Sequence, residues 1–111
     1  MERAVLVYTN WPSLVEAEAA GRGIVERRLA ACVNILPGTI SHYWWQGKIE
    51  RNEEVVMMVK TRASLADAVR IAVKEVHPYE TAPIMTLPVE CLDPDYHAWI
   101  VAEARGEAKR L

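Results

Sequence analysis

The chain has 111 residues, a net charge of -2 and 51% hydrophobic residues. That is one ordinary globular domain, long enough to bury a core without disulfide or metal staples. The mild acidity excludes the basic face of a nucleic-acid module, and no run of about 18 apolar residues is present to span a membrane.

The first strand is predicted over Arg3–Thr9, where apolar residues on both faces point to a central position in a sheet. Pro12 suits the first turn of a helix running to about Leu29. Its buried stripe is read as Leu14, Ala17, Ala20, Gly21 and Ile24. Gly21 and Gly23 each weaken that helix by about 1 kcal/mol relative to alanine, so close packing on the sheet is expected at one of them at least.

A long ribbon follows, from Ala31 to Thr61. Its first arm runs to Trp45 with a break at Pro37-Gly38, Gln46-Gly47 makes the turn, and the second arm returns from Lys48. Each arm is about twice the ~5–6 residues of an average strand. Its far half carries Tyr43, Trp44 and Trp45 with nothing in the chain to bury them, which predicts burial against another copy of the protein.

Thr61–Ser64 leads into a second helix with Leu65, Ala68, Val69, Ala72 and Val76 as its stripe, stopped at His77-Pro78. A fourth strand over Pro83–Glu90 has prolines that place it at an edge. Asp93-Pro94-Asp95 opens a last helix with Tyr96, Trp99 and Ile100 on one side, and Gly106–Leu111 is expected to fray. The order β-α-β-β-α-β-α predicts a ferredoxin-like α/β sandwich, with an antiparallel sheet and helices on one face. The other face is left without a cover, and self-association is its natural completion.

No GxGxxG, P-loop, HExxH or GxSxG signature is present, nor the aromatic pair with which this fold binds RNA. Cys32 and Cys91 are expected to be two reduced thiols that do not pair with each other. Without a leader pattern, the cytoplasm is the default location.

Several stretches resemble the CutA family of divalent-cation tolerance proteins. They are Arg28-Leu29-Ala30-Ala31-Cys32-Val33-Asn34-Ile35, then Ser41-x-Tyr43-x-Trp45-x-Gly47-x-Ile49-Glu50, Lys60-Thr61, His77-Pro78-Tyr79-Glu80 and Tyr96-x-x-Trp99. The resemblance covers nearly the whole chain in order. It implies a homotrimer assembled like the PII-type signalling proteins, with the long hairpins at the subunit boundaries. It also implies a part in copper and heavy-metal tolerance, with copper or another divalent cation as the bound species and no enzyme activity. Animal relatives are linked to membrane anchoring of an esterase.

The chain departs from the family's copper pattern. Tyr8 stands where some bacterial members have cysteine and Val76 where they have histidine, which leaves His77. Ala82-Pro83-Ile84 replaces a Pro-Glu-Ile and loses one carboxylate. His77 has two readings, a cap at a helix end favoured by the dipole or a metal ligand. Cys32 reads as a core residue of a central strand or as a soft ligand. Tyr43, Lys60, Tyr79 and Glu80 are expected, with Cys32, to meet in a ligand cleft between subunits; Tyr43, Trp44 and Trp45 are expected at the trimer interface. One histidine in the family's copper position, His77, predicts weak metal binding. A rival reading has the cleft hold a small anionic metabolite with Lys60 as its cation. A second rival is an unrecognised enzyme with His77 as base, although no nucleophile is visibly paired with a base.

Overall fold

A four-stranded antiparallel sheet carries the chain in the order β2-β3-β1-β4. The computed structural model describes residues 1–107. β1 (Ala4–Trp11) lies between β3 (Lys48–Arg62) and β4 (Ile84–Pro88), and β2 (Cys32–Trp45) forms the opposite edge. α1 (Leu14–Glu26) and α2 (Ala66–Val76) cover one face, and α3 (Pro94–Glu103) follows β4. This is the ferredoxin-like order, and the molecule measures 45 × 36 × 21 Å, thin enough for a single helix layer on a sheet.

Strand alternation sorts the residues by face. Val7 and Trp11 of β1 and Val55, Met57 and Val59 of β3 point toward α1 and α2, where they close a core with Ala17, Ile24, Val69, Ala72 and Val73. Gly21 lies where α1 presses on the sheet. A Cβ there would stand 2.8 Å from the Met57 sulfur and 3.0 Å from a Val33 methyl, whereas one at Gly23 would meet nothing. The close-packing role therefore belongs to Gly21 alone.

The helix ends correct the sequence reading. Ser13 caps α1 by accepting the Glu16 N–H, so Pro12 stays outside it. At the other end Arg28 adopts a left-handed φ of 60°. The Leu29 N–H reaches back to the Ile24 carbonyl and the Arg28 N–H to that of Val25, which is a Schellman stop built without glycine. Leu14 and Val76, read as buried, are exposed, and Val73 takes the core place on α2. β2 is an edge strand, so Cys32 is half-buried rather than central core, and both thiols are free.

The opposite face is not bare, as the sequence reading had it. α3 lies across one end of it. Ile100 and Ala4 are buried there, and the Lys60 ammonium donates to the Tyr96 hydroxyl at 2.9 Å. Asp93 caps α3 by accepting two N–H groups, as expected. Gly106 and Glu107 are tied down to Arg28 and Arg27 rather than frayed; residues 108–111 lie outside the described part.

Pro37-Gly38 does not end β2. It shifts the register between Leu36 and Thr39, and the ribbon continues to a turn in which Gln46 and Gly47 both have positive φ. β4 lies at the sheet edge, as its prolines predicted, and is shorter than expected, ending at Pro88.

Candidate functional site

Where β1 ends and the hairpin begins to leave the sheet, the chain encloses a cleft of about 760 Å³. Residues 78–83, the link from α2 to β4, form one wall. The facing wall is the hairpin, with Ser41, Tyr43 and Trp45 on β2 and Asn52 and Glu54 on β3. A separate groove of about 480 Å³ runs between α1 and β2 but is shallow and mostly apolar.

His77 sets the wall in place. Its residue is 9% exposed. Nε2 lies 2.7 Å from the Asn10 carbonyl and Nδ1 accepts the Tyr79 N–H at 3.1 Å, which fixes the Nε2–H tautomer. The ring also packs on Trp11 at 4.5 Å and Tyr79 at 5.0 Å. Its backbone turns extended at the end of α2, as expected of a residue before proline. His77 thus fastens residues 78–83 to β1, and both ring nitrogens are engaged.

Tyr43, Tyr79 and Glu80 line this cleft, which a single chain forms by itself. Cys32 and Lys60 do not. They face each other across β2 and β3 at the α3 end of the sheet, and Lys60 lies six residues from Glu54, about 20 Å at ~3.3 Å per residue. The bond to Tyr96 raises the Lys60 pKa and holds the ammonium there. Among the described residues no lysine or arginine lines the cleft, whose charged groups are the Glu54 and Glu80 carboxylates beside the His42 imidazole. An anion held by this chain's Lys60 has no support in that arrangement. Trp44 and Trp45 stand exposed on the hairpin.

Glu54 is the residue that sequence reasoning missed. It is 8% exposed, a buried carboxylate that makes no ion pair among the described residues. The sign was available: Glu54 opens the alternation that continues through Val56, Met58 and Lys60 on the face opposite the core. Asn52 donates to the Tyr43 hydroxyl and so joins the two arms at the cleft mouth.

Burial, then the charge of Glu54, pushes the Tyr79 phenol above its ordinary pKa. A raised acid favours the protonated folded form, so its contribution to stability is complete below the unfolded value near ~10 and is lost as pH rises through the folded value. Urea unfolding between pH 9 and 11 should show a decline in the wild type that Tyr79→Phe makes shallower. An identical slope in the two proteins would refute this assignment.

The fold and the cleft define a ferredoxin-like protein with a ligand-sized, carboxylate-bearing site and no three-ligand metal cluster among the described residues. A model of the CutA1 divalent ion tolerance protein family matches residues 5–103. The chain belongs to that family. It is 46% identical to the Mus musculus protein CutA over 93 residues, 84% of this chain and 52% of that protein. It is 39% identical to the Pectobacterium atrosepticum divalent-cation tolerance protein CutA over 92% of this chain and 93% of that protein. A solved structure described as the periplasmic divalent cation tolerance protein CutA from Archaeoglobus fulgidus is 40% identical, covers 92% of this chain and 99% of its own, and superposes with a TM-score of 0.89. The chain spans 52% of the mouse protein and 62% of the Xenopus laevis one. No helix among the described residues is long and apolar enough to cross a membrane.

Proposed function

We propose that this chain works as a cytoplasmic homotrimer that contributes to divalent ion tolerance and binds copper, or another divalent cation, weakly. Membership of the CutA1 family supports the tolerance role. The observation that carries the weak binding is the lack, among the described residues, of any three His, Cys, Asp or Glu side chains grouped to hold an ion. A site made of one or two protein groups and water binds loosely, and its occupancy falls as those groups protonate. His77 is the imidazole in the family-like position. A copper ion would reach it in exchange for the Asn10 or Tyr79 hydrogen bond, which weakens binding further.

Calorimetric titration with Cu(II) near pH 7 tests this. Weak binding is expected, weaker still in His77→Ala, with zinc no tighter than copper. Equal binding by both proteins would remove His77 from the site. Tight stoichiometric binding in both would move the site to Cys32 or Glu80.

A further inference from the structure

The cleft that His77 fastens has a composition of its own, separate from any copper reading. The more buried of its two acidic residues is Glu54, 8% exposed and without an ion-pair partner among the described residues. A carboxylate withdrawn from water is costly unless a cation or several hydrogen-bond donors meet it. The nearest groups are phenols and amides, and the second charge, Glu80, has the same sign. Around the carboxylates stand Tyr43, Tyr79 and Trp45, whose ring faces attract a cation.

We propose that this cleft binds a protonated amine, with the Glu54 carboxylate as its counter-charge and Tyr43, Tyr79 and Trp45 as its walls. The volume of about 760 Å³ is that of a small-molecule site. An alkylammonium suits it better than a bare divalent ion. A hard divalent ion wants six or more oxygen ligands closed around it, whereas much of this lining is aromatic ring and no three His, Cys, Asp or Glu side chains gather there among the described residues. An alkylammonium places its charge on the carboxylate and its carbon chain along the rings. His77 serves the site at one remove, by holding the Tyr79 wall through the Nδ1 bond.

The test is titration of the protein as isolated with n-butylammonium chloride, followed by calorimetry and by indole fluorescence. Saturable binding is expected, with none for sodium butyrate. Glu54→Gln, of the same shape, should weaken the butylammonium affinity about tenfold or more. Glu53→Gln, next to it on the opposite face of β3 and largely exposed, should change it less than about twofold. If Glu54→Gln fails to fold, Tyr79→Leu replaces it. It should weaken butylammonium by roughly fivefold while leaving n-butanol unaffected. The proposal is overturned by no saturation in the wild type, by equal affinity in Glu54→Gln, by butyrate binding as well as butylammonium, or by calcium alone filling the cleft and excluding the amine. A failed copper titration leaves this result untouched, because the amine binds without a metal.

Discussion

Replacing Trp45 with aspartate should give a folded monomer, and the wild type should sediment at three times the 12.5 kDa chain mass. The hairpin is the reason. Beyond the bulge at Pro37-Gly38 the two arms pair only with each other, from Thr39–Glu54 to Trp45–Lys48. Trp44 is 72% exposed, Ile49 64% and Trp45 53%, on a two-stranded ribbon that no helix covers. An isolated ribbon of that kind is marginal in water, and the proposed trimer would bury its aromatic side chains between subunits. Loss of a central aromatic anchor costs about 2–4 kcal/mol of association. The core lies at the other end of β2 and β3 and shares no residue with the hairpin tip. Far-UV circular dichroism should therefore stay native while sedimentation changes. A wild type that runs as a monomer at micromolar concentration would end the trimer reading. So would a Trp45→Asp protein that stays trimeric.

Trp11→Ala should cost about 3–5 kcal/mol of folding stability, the range for emptying a large aromatic site. Trp11 is fully buried. Its indole N–H donates to the Thr9 hydroxyl at 2.7 Å, and that hydroxyl donates to the Met57 carbonyl at 2.9 Å. The substitution thus leaves both a cavity and a loosened link between β1 and β3. It also removes the surface on which His77 packs, so the 78–83 wall of the cleft should soften with it. Trp99→Ala on α3, where the ring is 43% exposed and stacks only on Tyr96, should cost less than about 1 kcal/mol. Urea unfolding at one fixed protein concentration gives both values; the concentration matters because association adds to apparent stability. Equal losses at the two tryptophans would show that Trp11 does not hold the core.

Most of the fold was legible because its elements carry signals that tertiary packing does not override. Asp93-Pro94, Gln46-Gly47 and His77-Pro78 each act through local backbone chemistry, and each stands where the sequence placed it. The errors fall where a distant partner decides. Val76 continues the helical stripe, but α2 ends as it arrives and Val73 reaches the core instead. Arg28 gave no warning of a left-handed stop, since glycine is the usual residue there. Cys32 looks central from its apolar neighbours and becomes half-buried because β2 is an edge.

The cleft was half legible for the same reason. Tyr43, Tyr79 and Glu80 were read together as groups of a cleft between subunits, and they line one cleft within the single chain. Lys60 was assigned to them by its chemistry, but the register sends it to α3. Glu54 looked like one more polar residue in Asn52-Glu53-Glu54. Its burial, and its place in one cleft with residues 78–83, come only with the fold.

The central position of β1 governs the order in which the protein can be made. Val5 pairs with Thr61 on one side and with Pro88 on the other, so β1, made before its partners in this sheet, is among the last strands to be completed. The β2-β3 hairpin closes across a two-residue turn and can zip on the ~1–10 μs scale of such ribbons. The β1-β4 edge must instead close a loop of most of the chain, a non-local step of the kind that slows folding. Until Ile84–Pro88 has been synthesised, β1 offers an unpaired edge to its surroundings. Refolding should therefore show a fast hairpin phase and a slower sheet closure, and a nascent chain halted before residue 84 is the form most exposed to mispairing with its neighbours.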